Sequence, residues 1–343
     1  MDLLAREPFD ILLPIHEQGL AFCRLRDKLP GGAAVALPSL EAYRQVHSKA
    51  GFSRVLSELG LPQPPTQFIE TRQQALSLNK FPVVLKTSIG TASRGVWLVK
   101  DRESLRCAVE ELDKISGFTD AVLAQDFIEG TVEHAQAVFS NGKLIGLHAY
   151  RQIVRGAGGG DAVKESIDRP ELHDHLALLG EHLHWHGALS VDYLASEASG
   201  AIHYIDCNPR LVEPMNAWLA GHDLLDRLLQ VTCADQTAPL PPGRTGIRSH
   251  LAMQALLGCA LRSRSRWELL REIVRLVRGS GIYRTSEEEL TPLRWDWPSV
   301  APTVAVALLL LITPKAAEQM PKRGWGTHLL TPQSIRIICD RVG

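Results

Sequence analysis

Three groups of residues in this 343-residue chain have types and spacings that could do chemistry. Lys86 closes the apolar run FPVVLK and is followed by TSIGTASRG, which contains Gly90 and Gly95. A lysine at the end of a buried strand, beside a glycine loop, offers an ammonium and free backbone N–H groups to phosphate oxygens. It is not a Walker loop, because G-x-x-x-x-G-K-[ST] occurs nowhere in the chain. Alone, the pattern fits a glycine-containing hairpin with an edge lysine more readily. The second group is Asp192 in ALSVDY with Asp206-Cys207-Asn208 in HYIDCNPR. Asp206 and Asn208, two apart on a strand, would face one side. Two carboxylates and an amide oxygen are hard donors that suit Mg²⁺, and an aspartate among apolar residues is costly without a cation or partner. Asn208-Pro209 is equally a turn signal, so ion site and turn stand level here. The third group is His182, His184 and His186, with His173 and His175 nearby. On a helix only His182 and His186 share a face and no H-E-x-x-H is present, so a helix surface outweighs a zinc site.

These residues need elements to hold them. SKAGFSRVLSELG, from Ser48, has apolar residues at helical spacing, a serine cap and a terminal Gly60, and Pro62, Pro64 and Pro65 forbid continuation. FPVVLK and VWLV read as strands, and a helix capped by Asp101 reaches Lys114. EHAQAVFSN and KLIGLHAY alternate around Asn141-Gly142, a strong hairpin signal. RGAGGGDAVKES reads as a glycine-dense loop, residues 171–185 as a helix, and ALSVDYLASEASGAIHYIDCNPR as two strands turning near Gly200. PFDILLPI and Val35 to Leu37 read as short strands. The proline-rich TAPLPPGRTG is the best candidate for a boundary, with mostly helical sequence beyond it.

In order, Lys49 at a helix start, VVLK with its small-residue loop, QDFIEGTVE, a glycine-rich segment, then VDY and IDCNPR resemble the ATP-grasp superfamily. The likeness is greatest to carbamoyl-phosphate synthetase-like ligases and runs from about Pro8 to Val231. It implies an α+β fold in which two α/β subdomains clasp ATP. The expected division is a partial N-terminal lobe over 1–47, an ATP-grasp domain over 48–238, and a mainly helical region over 239–343. Relatives carry roughly a hundred residues in the first lobe, a typical domain size, against about 46 here, so a shortened lobe is expected.

The resemblance also assigns roles. Lys49 and Lys86 match lysines on the nucleotide phosphates, and Ser88, Gly90, Ser93 and Gly95 lie in the loop covering them. Gln125, Asp126, Phe127 and Ile128 match the hinge on the adenine edge, and Glu133 the acid on the ribose. Asp192, Asp206 and Asn208 match ligands of Mg²⁺, for which Mn²⁺ can substitute. Arg210 matches the cation that steadies the transferred phosphate; Lys164, Arg151 and Arg155 fall to the substrate side, with Glu213 and Asn216 as acceptor contacts. Thr87 stands where relatives usually have proline, Asp206 in place of glutamate, and Gln125 in place of glutamate. The implied activity is an ATP-dependent ligase joining a small-molecule carboxylate to an amine through an acyl phosphate. The rival is a nucleotide-binding scaffold with little turnover.

Composition narrows the rest. Lysine plus arginine number 37 against 38 acids, so the chain as a whole is no trap for nucleic acid. Six cysteines without a C-x-x-C pair point to a reducing compartment, the cytoplasm by default. The apolar run 303–312 is far shorter than the ~20 residues of a membrane-spanning helix. Between Arg244 and Arg284 nine arginines meet two acids. With Trp267, Trp295, Trp297 and Trp325 in the same quarter, this stretch fits packing on the core or a homodimer, and less readily a membrane surface.

Overall fold

A computed structural model describes residues 4, 6–29, 33–90, 95–234, 237–291, 296–320 and 330–340. The fold is α+β and is organised by two sheets. The smaller contains β1 (Thr66–Ile69), β2 (Val83–Thr87), β3 (Val96–Val99) and β4 (Val122–Asp126), in the order β1-β4-β2-β3 with antiparallel pairs. Val83 and Leu85 turn into a core with Val99 of β3 and with Leu105, Val109 and Leu112 of the helix Arg102–Lys114. Period two then sends Val84 and Lys86 to the opposite face.

The larger sheet contains β5 (Gly130–Ser140), β6 (Lys143–Arg155), β7 (Asp161–Ile167), β8 (Gly187–Ser196), β9 (Ile202–Asn208), β10 (Arg248–His250) and β11 (Ser286–Glu288). Its order is β11-β10-β7-β6-β5-β8-β9. Asn141 and Gly142 both take positive φ, which is what a two-residue hairpin between β5 and β6 requires. One face packs Ala135, Ala137, Leu189, Val191 and Tyr193 against Leu172, Leu176 and Leu179 of the helix Pro170–His182. Trp185 is fully buried in this core, its Nε1–H donating to Ala188 O at 3.1 Å. On the other face His134, Gln136, Asp192, Asp206 and Asn208 are polar, while Val138 and Ala188 at one end pack on Leu224 and Leu228 of the helix Leu224–Cys233.

Several expectations change. PFDILLPI forms only a single bridge, Ile11 with Ala34, and no strand; Pro8 and Pro14 withhold the donors that a longer ladder needs. Val35 to Leu37 is likewise outside any strand. RGAGGGDAVKES is not all loop: the turn is confined to 156–160, and Asp161–Ile167 is β7. The linker TAPLPPGRTG runs along the larger sheet, with Leu240 N donating to Ile145 O at 2.7 Å and Gly246 N to Ser166 O at 2.8 Å. The chain beyond it adds β10 against β7 before the helices Ala252–Ser263, Arg266–Arg278 and Val300–Ile312 pack together through Leu256, Ala260, Leu269 and Leu310.

The helix Lys49–Glu58 lies between the sheets. Ser48 caps it by accepting from Gly51 N at 3.1 Å. Gly51 is required because a Cβ there would sit 2.3 Å from Gln45 O of the preceding helix Leu40–His47. Truncating the core side chain that anchors the β8 face, Trp185→Ala, should cost about 3–5 kcal/mol. The check is the urea midpoint, which should fall clearly below that of the unaltered protein.

Candidate active site

The β8–β9 ladder decides the site. Its register sets Asp192 opposite Asp206 and Ser190 opposite Asn208, so both carboxylates and the amide occupy one face. Cys207 turns to the other face, buried in the core, where burial raises its thiol pKa. Two carboxylates directly across a ladder repel, and the protein answers with cations. Lys49 Nζ lies 2.7 Å from Asp206 Oδ2. His134 Nδ1 lies 2.8 Å from Asp192 Oδ1, and its Nε2 lies 3.4 Å from Asp161 Oδ2. Burial alone would lower the His134 pKa, but Asp192 and Asp161 outweigh it and lift it to about 10.

Lys86 joins the two sheets. Its Nζ donates to Ile205 O of β9 at 3.1 Å. Burial draws its pKa down to about 8, with Asp206 resisting and Lys49 adding to the fall. Lys49 also donates to Gly90 O at 2.9 Å, and its backbone N to Ser88 O at 2.8 Å. Ser88 is buried and its Oγ is 2.7 Å from Ser48 Oγ, so this serine anchors the loop rather than facing a ligand. Gly95, at φ +74°, closes the loop where a Cβ would meet Thr87 Oγ1 at 2.2 Å. Ser93 lies outside the described residues.

Gln125, Asp126, Phe127 and Ile128 form the crossing from β4 to β5. Gln125 is buried, donates through Nε2 to Thr66 Oγ1 at 2.9 Å, and leaves Oε1 without a hydrogen-bond partner. Phe127 is exposed. Glu133 is not with this group. It pairs across the ladder with Tyr193, on the face opposite His134 and Asp192, and a bidentate ion pair from Arg169 (2.7 and 2.8 Å) satisfies its buried carboxylate. Arg151, opposite Glu133, shares that face and pairs with Glu165. Arg155 is exposed at the end of β6.

Arg210 follows β9; burial lowers its pKa, against the pull of Glu17, Tyr43, Asp192 and Glu213. Lys164 is not on a loop. It lies on β7, fully buried, with Glu213 at 2.6 Å, Glu289 at 2.9 Å and the Tyr150 ring centroid at 5.1 Å. Against burial, the two glutamates raise its pKa. Glu213 takes φ +53° and keeps a third of its side chain exposed, whereas Asn216 is wholly buried and cannot meet an acceptor.

Residues 46–214 match the family model of the ATP-grasp domain. The chain carries an ATP-grasp domain. It is 26% identical over 228 residues to the carbamoyl phosphate synthase large chain, C-terminal section, of Aquifex aeolicus (strain VF5), covering 61% of this chain and 41% of that one. In fold it is similar to the biotin carboxylase of Campylobacter jejuni, solved as a βγ-ATP complex (TM-score 0.59, 18% identity, 70% of this chain and 58% of that one). It is also similar to an L-amino acid ligase from Bacillus licheniformis (TM-score 0.53, 18% identity, 67% and 58%). The chain thus spans less than two thirds of each.

Within this ATP-grasp domain the donor set fits a hard divalent cation, since Asp192, Asp206 and Asn208 present only oxygen on one face. Among the described residues no group of three His, Cys, Asp or Glu side chains is arranged to hold a metal; His182 lies 3.9 Å from Glu58, and His186 Nδ1 accepts from Asn141 N at 3.3 Å. His134, Asp161 and Glu289 are absent from the motif-based expectations. Period two through QDFIEGTVEHAQ could have placed His134 opposite Glu133; nothing local marks Glu289, which comes from 125 residues beyond Lys164.

Glu289 begins a buried chain beneath the site. Ser249 Oγ donates to Glu289 Oε1 at 2.6 Å, Asn216 Nδ2 donates to Ser249 Oγ at 2.7 Å, and His148 Nε2 donates to Asn216 Oδ1 at 2.8 Å. Burial lowers the His148 pKa to about 4, against the bond to Asn216. The folded value lies below the ordinary histidine value of 6.5, so the unfolded chain binds the proton first. Stability is therefore lost as pH falls from about 6.5 to about 4, by roughly 3 kcal/mol, and levels off below. Denaturant titration across this range should show that slope, and His148→Gln should flatten it.

Proposed function

We propose that the protein is an ATP- and Mg²⁺-dependent ligase that joins a carboxylate to an amine through an acyl phosphate. The observation carrying this reading is the cross-strand pair Asp192–Asp206, met on one face by Lys49 and, from the facing sheet, by Lys86. The 26% identity to a carbamoyl phosphate synthase section supports the same class of chemistry.

Phosphoryl transfer is governed by positioning and charge neutralisation. A divalent cation held by Asp192, Asp206 and Asn208 would supply neutralisation of the phosphate oxygens. Lys49 is poised to exchange Asp206 for a phosphate oxygen, because its stem is fixed at the first turn of a capped helix while its ammonium stands at the carboxylate pair. Lys86, with a pKa of about 8, keeps its charge at neutral pH and reaches the same place from the smaller sheet. The unpartnered Gln125 Oε1 at the sheet crossing suits an N–H donor such as an adenine amine.

Arg210 and Glu213 bound the side away from the hinge. Gln136 Nε2 donates to Val212 O, which fixes the backbone that carries both. In this reading a substrate carboxylate oxygen attacks the γ-phosphorus and ADP leaves; the amine nitrogen then attacks the acyl carbon and phosphate leaves. Arg210 faces the growing negative charge of the first step, and the part-exposed Glu213 suits an incoming amine. Arg151 and Glu133 take no direct part, since they lie on the opposite face of the sheet from Asp192, and Lys164 acts from below by holding Glu213 at 2.6 Å.

ADP release across a panel of carboxylates and amines tests the proposal, with hydroxylamine as the amine so that an acyl phosphate is trapped as a hydroxamate. Asp206→Asn should reduce turnover by at least about a hundredfold. Near-normal turnover in both Asp206→Asn and Asn208→Ala would remove the metal assignment. Tight nucleotide binding without ADP or hydroxamate from any pair would favour a non-catalytic scaffold.

A further inference from the structure

The helix Arg266–Arg278 buries Leu269 and Glu272 and turns a different stripe outward. At 3.6 residues per turn, Trp267, Leu270, Val274 and Val277 form one continuous ridge. All are exposed, Trp267 to 75% and Val277 to 83%. The ridge continues onto the helix Val300–Ile312, whose Leu308 and Ile312 are exposed as well. Arg266 Nη2 donates to Ile312 O at 2.6 Å, which joins the end of one helix to the start of the other. Trp297, just before the second helix, is 74% exposed.

The charges beside this ridge say what it fits. The same helical spacing puts Arg266 along one edge and Arg271, Arg275 and Arg278 along the other. The acids of this helix are spent: Glu272 accepts from Tyr283 and lies 3.4 Å from Arg275, while Glu268 pairs with Arg271 at 2.6 Å. Among the described residues Arg262, Arg266 and Arg278 have no carboxylate partner, and the first two donate to carbonyls of Arg155 and Ile312. The surface therefore combines tryptophan, branched aliphatics and, at its edges, Arg266 and Arg278 without a carboxylate partner among the described residues. A second copy seated on the ridge would bring the same positive edges together, which charge disfavours. Headgroup phosphates of an anionic lipid surface satisfy the arginines, while tryptophan and the aliphatics enter the acyl boundary. No described helix is long and apolar enough to cross a membrane, so the fit is to the surface alone.

We propose that this ridge seats the protein on anionic lipid surfaces, with the helix Arg266–Arg278 lying flat at headgroup depth. The test is co-sedimentation of the full chain with vesicles of phosphatidylcholine, with and without phosphatidylglycerol. Pelleting should require phosphatidylglycerol and should fall when salt rises from about 0.1 M to about 0.5 M. Arg278→Ala should weaken binding about fivefold, and Trp267→Ser and Val277→Ser should weaken it at least as much. Because these side chains are exposed, nucleotide binding and thermal midpoint should stay unchanged, which separates loss of docking from loss of fold. No pelleting with anionic vesicles, or pelleting indifferent to lipid charge and to all three substitutions, overturns the proposal. So does a dimer in sedimentation velocity that Trp267→Ser dissolves while vesicle binding is absent, which would assign the ridge to a second copy.

Discussion

Two carboxylates placed side by side across the β8–β9 ladder are the constraint around which this protein is arranged. Asp192 and Asp206 cannot turn away from one another, because their register also fixes Val191 and Cys207 in the core behind them. Each retains roughly a quarter of its side-chain exposure, and each is met by a cation from a different element. Lys49 comes from a capped helix, His134 from the neighbouring strand β5, and Lys86 from the second sheet. Charge compensation thus holds the two sheets in relation to one another, and any ligand bringing metal and phosphate meets groups already brought together.

A second polar system lies beneath. Lys164 is buried without exposure, and burying one charge is costly unless hydrogen-bonded partners surround it. Glu213 and Glu289 supply them, the first from the loop after β9 and the second from the segment after β11. The chain beyond the proline-rich segment therefore contributes to the larger sheet and to the support of Glu213. Its helices then carry the exposed basic ridge on the outside.

Much of this could be read from residue types in order. The strand around Lys86, the capped helix at Lys49, the Asn141-Gly142 hairpin and the strands bearing Asp192 and Asp206 each announce themselves through local signals of capping, turn chemistry and alternation. The failures share a cause. PFDILLPI is apolar like a strand, but its prolines and lack of a second partner leave it with one bridge. Lys164 comes four residues after the glycine run 158–160 and so reads as a loop residue; its burial depends on Glu289, far away in sequence. Glu133 and His134 are adjacent, and only the register against β8 decides which of them faces the carboxylates. Long-range partnership, rather than propensity, is what the one-dimensional pattern omits.

A structure of the protein with Mg²⁺ and a non-hydrolysable ATP analogue tests the central claim most directly. The expected result is that Lys49 leaves Asp206 for a phosphate oxygen, that Asp192, Asp206 and Asn208 hold the cation, and that Lys86 reaches the same triphosphate. A structure in which Lys49 and Asp206 stay paired at 2.7 Å while the phosphates lie away from this face would contradict it.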